Sequence, residues 1–350
     1  MAQVPTAEEQ VPTADCQVPQ KPARPSVPVE RPARESTRSW PLADRIFYWL
    51  CWATGVGLCL IAAWIVLYMM VKGVSFLKPS MLVSSPKPEI TQQGSGGFSD
   101  PIVGTLIIVA IGTALAVPVG MGIAVWLSEY ARPRWLARAV ESTLEMLAGV
   151  PSVVLALFGL LVFSQGVLSF LSESSVSGGV TGISFLTAGI TMGVLALPLV
   201  VTANYEALRL LPSRVREASH ALGKTRITTI RHVLLPSIRS ASATGGVLAM
   251  GRIVGDTAII TILLGGGVNT EPNSGFLGLL RGTGATLTSY IYYESPAGEG
   301  NSHEKAYAAA FVLLLIVLVL NGVATWISRE RGGARRSIWS ALGWGVPWTR

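Results

Sequence analysis

Two charged residues stand out because of where they fall. Arg252 and Asp256 lie in a run, 241–264, that is otherwise free of charge and long enough to cross a bilayer. Placing either charge near the bilayer centre costs roughly 2.5–3.5 kcal/mol even on a lenient insertion scale, so both are expected to face a bundle interior or a wet pathway. Spaced i and i+4, they would share one helix face. Arg252 offers a planar fork of donors that stays protonated and matches an oxyanion bidentately. Asp256 would hold that fork between visits of the anion and keep the anion from binding too tightly to leave. The alternative is a self-neutralising intrahelical pair that only fixes the segment.

A second constellation is polar. From Glu217 the chain reads Glu-Ala-Ser-His-Ala-Leu-Gly-Lys-Thr-Arg-Ile-Thr-Thr-Ile-Arg-His-Val-Leu-Leu-Pro, ending at Pro236. The pattern predicts a short helix over Arg214–Leu222 with a small-residue face of Ala218, Ser219 and Ala221. Gly223 then permits a sharp turn, Thr225 caps a second helix and Pro236 limits its continuation. Two such helices, with little apolar surface of their own, need a partner to dock against; a basic connector lying on anionic lipid is the alternative. Nearer the middle of the chain, Pro151 can kink a helix and Gly149 lets a neighbour approach, so the two read as packing or as a hinge. Gly245-Gly246 and Gly251 to Gly255 favour close packing around Arg252.

Other chemistries lack their residues. There is no Gly-x-x-x-x-Gly-Lys-Ser/Thr loop, so the chain has no phosphate cradle of that kind for a nucleotide. His303-Glu304 has no second histidine at zinc-protease spacing, and no Gly-x-Ser-x-Gly elbow occurs. His220 and His232 fit surface or partner contacts better than metal binding. No catalytic set and no metal site is expected.

These residues must be positioned by membrane-spanning elements. Of 350 residues, 50% are hydrophobic and 13% charged, against roughly 25% charged in a soluble domain, and mean hydropathy is +0.50. Apolar runs of spanning length fall near 46–71, 102–127, 146–171, 183–204, 241–264 and 306–327. Residues 1–45 hold eight prolines and a Gln-Val-Pro repeat, a composition unable to bury a core, and are expected to form a disordered cytoplasmic tail. If alternate connections lie on opposite sides, 21 of the 27 Lys and Arg fall on one side, which places both termini in the cytoplasm. The net charge of +7 is then mainly a topology signal, and no nucleic-acid partner is expected. Three cysteines without paired or metal-ligand spacing are expected to stay reduced.

The spacing in the polar segment resembles a family motif. Glu217, Ala218, Ser219, Gly223, Val233, Leu235 and Pro236 are similar to the coupling loop of permease subunits in ATP-binding-cassette importers, with Ser219 where a second alanine is usual. Gly96-Gly97-Phe98-Ser99-Asp100-Pro101-Ile102-Val103-Gly104-Thr105-Leu106, Leu147-Ala148-Gly149-Val150-Pro151-Ser152-Val153-Val154 and Gly251-Arg252-Ile253-Val254-Gly255-Asp256-Thr257-Ala258 further resemble phosphate importer permeases of the Pst system, the A type more than the C type. The resemblance covers roughly residues 95–327 and has Asp256 where Glu is commoner. It implies an all-α integral membrane protein with six transmembrane helices and the type I importer (MetI-like) fold. The first helix would be 46–71, an extracytoplasmic loop 72–101, the permease core 102–327 with a coupling loop at 212–236, and a cytoplasmic tail 328–350. It also implies a bacterial inner-membrane location, inorganic phosphate as substrate and membrane lipid as surroundings. The implied partners are a C-type permease, an extracytoplasmic phosphate-binding protein and a dimer of ATPase subunits that alone bind ATP and Mg. Sulfate or molybdate remains open as the anion. Outside this class stand an ion-coupled carrier using Asp256 as a proton site, and a scaffold without transport.

Overall fold

The computed structural model describes residues 41–77, 79–84, 97–164, 170–172, 182–264, 275–295 and 303–341, of which 275–277, 303 and 327–341 by backbone alone. The expected tail up to residue 40, the connection 173–181 and the chain end 342–350 lie outside the described residues.

Long uncharged runs give long helices, because a backbone in lipid must satisfy its hydrogen bonds within the segment. The first, α1 (Leu42–Phe76), falls into two units divided between Ala62 and Ala63. Up to Ala62 it exposes Trp49, Leu58 and Leu60, an apolar surface all round as expected of a helix in hydrocarbon. From Ala63 onward it meets α13 (His303–Ala341): Tyr68 packs edge-on to Tyr307 with ring centroids 5.9 Å apart, and Gly73 backs onto Phe311.

The heart of the second unit is the pair α2 (Ser99–Val125) and α5 (Phe185–Arg209). Their approach depends on small residues: a Cβ on Gly193 would lie 2.6 Å from Leu115 Cδ2 and 3.1 Å from the Gly112 carbonyl. Phe185, Met192 and Val200 of α5 are fully buried, together with Ile108 and Ala116 of α2. Behind them stand α4 (Ser152–Ser164), α9 (Arg239–Gly255) and α10 (Thr257–Leu264), which contribute Ala156, Ile253 and Leu263 to the same core. At one end of this bundle, beyond the short α11 (Gly275–Arg281), Phe98, Leu287 and Val312 form a second core with α12 (Leu287–Glu294); at the other, Leu127, Leu208 and Leu234 form a third.

No strand occurs among the described residues, and four helices are long and apolar enough to cross a membrane. Two bent pairs bring the number to six if each is one crossing. Two expectations of unbroken spans are corrected. The run 146–171 begins in the last turn of α3 (Arg134–Gly149), an amphipathic helix, and turns through 107° into α4. Pro151 sits at this bend, where its ring excludes the preceding residue from helical geometry, and Val150 is extended. The run 241–264 is likewise broken, at Asp256.

Candidate functional site: a broken helix and a projecting helical pair

Helix α9 stops at Gly255, and Asp256 is extended, with φ −87° and ψ 113°. Its Oδ1 accepts the Ile259 amide at 3.2 Å, so the carboxylate caps the N-terminus of α10. Arg252 and Asp256 therefore do not share a helix face. No self-neutralising pair forms either: the one salt bridge among the described residues joins Arg216 to Glu129. The reason is local, since a glycine followed by a good capping residue favours ending one helix and starting another.

Arg252 stands exposed, with Thr244, Leu248, Gly251 and Gly255, along a single stripe of α9. The adjoining flank, carrying Gly245, Ala249 and Ile253, is buried. A Cβ on Gly245 would lie 3.1 Å from Ala203, as close packing requires, but on Gly251 or Gly255 it would meet nothing within 4 Å. The expected close packing thus holds at Gly245, seven residues before Arg252 and on nearly the same side of the helix, and fails at Gly251 and Gly255. Gly149 is open in the same way, so no neighbouring helix among the described residues approaches it.

The polar segment forms two short helices. The first, α6 (Ser213–Ala221), ends at a turn where Gly223 has φ +72° and the Lys224 amide donates to the Ser219 carbonyl at 3.2 Å. Thr225 caps α7 (Arg226–Thr229) by accepting the Thr228 amide, as expected. Ser219 and Thr229, both buried, face each other with hydroxyls 2.8 Å apart; this gives the serine that replaces the usual alanine a bond between the two helices. The second helix runs on to Ser237, one residue past Pro236, which limits its continuation as expected. A π turn at Ile230–Leu234 widens the coil, and a last short turn, α8 (Leu235–Ser237), carries the chain past the proline before a 68° bend into α9.

The motif residues divide by exposure. Glu217, Ala218 and Gly223 face outward beside Leu222 and Ile227, which are 78% and 71% exposed. Val233, Leu235 and Pro236 are half-buried around Leu234, which is in the core. One set is presented and the other anchors. His220 and His232 each place Nδ1 3.2 Å from a carbonyl four residues away, those of Lys224 and Thr228. Among the described residues no group of three or more His, Cys, Asp or Glu could hold a metal.

Arg216 and Thr288 escaped the sequence reading. Arg216 reaches Glu129, 87 residues away, and Thr288 Oγ1 donates to the Val254 carbonyl at 3.0 Å, just before the break at Asp256. Neither contact leaves a local spacing; the only trace of the first was a charge of each sign beside a span end.

Residues 116–332 match the family model of the binding-protein-dependent transport system inner membrane component. The chain belongs to this family. Its broken helix and projecting pair are thus features of a multi-pass inner-membrane protein. Among relatives, it is 33% identical to the phosphate transport system permease protein PstA 1 of Mycobacterium tuberculosis (strain CDC 1551 / Oshkosh), over 68% of this chain and 72% of that one. It is 30% identical to the phosphate transport system permease protein PstC of Xylella fastidiosa (strain 9a5c), over 64% and 69% of the two chains. A probable ABC transporter permease protein of Bacillus subtilis (strain 168), YqgI, is 30% identical over 79% of this chain and 93% of its own. In fold, the chain resembles a subunit in the crystal structure of a bacterial alginate ABC transporter with an alginate pentasaccharide-bound periplasmic protein. The TM-score is 0.59 at 17% identity, covering 82% of this chain and 95% of the other.

Proposed function

We propose that this chain is one of two permease subunits of an ATP-driven importer of inorganic phosphate, of the A type. The observation that carries the reading is Arg252, a charge without an ion pair among the described residues, on an exposed stripe of a helix whose only other charge is Arg239 at its first position, in a chain two of whose relatives are named phosphate permeases. A cation left unpaired at that depth is costly unless an anion or water meets it. The exposed stripe of α9 fits the wall of a pathway completed by a second, C-type permease. An extracytoplasmic binding protein would deliver the anion. A dimer of ATPase subunits, which alone binds ATP and Mg, would receive α6 with its exposed Glu217, Ala218 and Leu222.

The mechanism is alternating access. ATP favours the closed ATPase dimer, and only that difference in affinity between states can drive the pathway from one opening to the other. Gly149 and Pro151, at the 107° bend, are the proposed hinge of this movement. Both termini lie in the cytoplasm.

Uptake of radiolabelled phosphate by cells expressing the whole transporter tests the reading, with sulfate and molybdate as competitors. Arg252→Gln should abolish uptake while leaving the membrane level and the assembled complex intact. Gly223→Asp should also abolish it, because a φ of +72° favours glycine and the added side chain and charge face the ATPase. Normal uptake in Arg252→Gln would remove the pathway arginine, and competition by sulfate would keep the machine but change its substrate.

A further inference from the structure

The guanidinium of Arg216 joins three elements that a coupling movement has to carry together. Its Nε donates to Glu129 Oε1 at 2.8 Å, in the π turn Trp126–Tyr130 that prolongs α2. One terminal amino group donates to the Leu211 carbonyl at 3.2 Å; the other donates to the Leu208 carbonyl at 3.0 Å and to Ser128 Oγ at 3.4 Å. A helix leaves its last carbonyls without partners and favours a cation beside them, so Arg216 closes the end of α5 while Glu129 balances its charge. The planar fork makes this possible, since its donors point in fixed directions toward several acceptors at once.

The chain itself attaches α6 to α5 through Leu210–Pro212 and to α7 through Leu222–Thr225, with no covalent link to α2. On its far side α6 is held to α7 by Ser219 and Thr229. A push delivered to the exposed residues of α6 could therefore be taken up by bending at Leu210–Pro212. Arg216 removes that freedom, because it pins the first half of α6 to the ends of α2 and α5 simultaneously. Those two helices are locked along their glycine seam, and both pack against α9, which carries Arg252.

We propose that Arg216, with Glu129 as its counter-charge, is a positioning residue that passes displacement of α6 to α2 and α5 as one body; this rests on reading the chain as an ATP-driven importer permease. A lysine at 216 would keep the charge but not the fork.

The measurement is phosphate moved per ATP hydrolysed, on the complete complex in proteoliposomes with its binding protein. Wild type is compared with Arg216→Gln, Arg216→Lys and Glu129→Gln, and the ATPase co-purifying with each is quantified. Arg216→Gln should lower the ratio roughly tenfold, within the usual range of coupling between distant sites, at unchanged ATPase recovery. Arg216→Lys should fall between it and wild type, and Glu129→Gln should show a smaller loss in the same direction. A role confined to folding would lower the yield of complex and leave the ratio alone. An unchanged ratio in Arg216→Gln, or disappearance of both glutamine variants from the membrane, would overturn the proposal. Failure of the importer reading is distinguishable, because the wild-type complex itself would then move no phosphate.

Discussion

At position 256, capping a helix and pairing with an arginine make different demands on a side chain. A cap needs one acceptor oxygen on a short arm, which asparagine supplies as well as aspartate; a counter-charge needs the carboxylate. Since Asp256 Oδ1 accepts the Ile259 amide and forms no bridge to Arg252, we expect Asp256→Asn to take up phosphate near the wild-type rate. Asp256→Ala should instead lose about 1 kcal/mol of stability with the cap and lower uptake as α10 frays beside the arginine. Uptake and thermal unfolding of the solubilised protein would be measured together. Loss of uptake in the asparagine variant at unchanged stability would return the charge to the mechanism. The residue types at 252 and 256 were legible in the sequence because lone charges in an apolar run are conspicuous. Their relation was not, since a helix broken after Gly255 and one continuing through it share the same hydropathy.

The helices themselves were legible to the extent that lipid dictates them. Length and uniform apolar character gave α1, α2, α5 and α13, whereas the bend at Pro151 and the break at Asp256 depend on single residues and the packing behind them. The seam between α2 and α5 lies between these cases. Gly112, Ala116 and Gly120 recur every four residues, and Gly189 faces them with Gly193 at the same spacing, a small-residue pattern that lets backbones in lipid approach closely. It became recognisable as an interface once both helices were seen to meet there. A Cβ on Gly193 would come within 2.6 Å of Leu115, so Gly193→Leu must force the helices apart, and overpacking of a tight core costs roughly 1–3 kcal/mol. We expect this variant to reach the membrane in reduced amount and to be cut faster by protease. Gly122→Ala, where the new methyl group meets nothing within 4 Å, should behave as wild type. Equal protease resistance in the two variants would show that the seam does not limit stability.

For the molecule as a whole, the side on which α6 lies decides whether the bent pair of α3 and α4 makes a crossing. Four long apolar helices would place α6, which follows α5, across the membrane from the N-terminus if neither bent pair crossed. With α3 and α4 together making one further crossing before α5, α6 returns to the side of the N-terminus. The charges favour the second arrangement: the connection 205–240 carries seven Lys and Arg, the tail 1–45 six, and basic residues collect on the cytoplasmic side. Translocating the coupling segment would set this bias aside and would carry the exposed Leu222 and Ile227 away from any cytoplasmic ATPase. Leu222, 78% exposed at the tip of the projecting pair, is a suitable reporter. In a chain with Cys16, Cys51 and Cys59 replaced by serine, Leu222→Cys should be labelled in intact cells by a membrane-permeant maleimide and spared by a charged, impermeant one. Inverted membrane vesicles should reverse the second result, because the cytoplasmic face is then outermost. Labelling of intact cells by the impermeant reagent would place α6 outside, remove the α3–α4 crossing and separate the coupling segment from the energy source on which the proposed function depends.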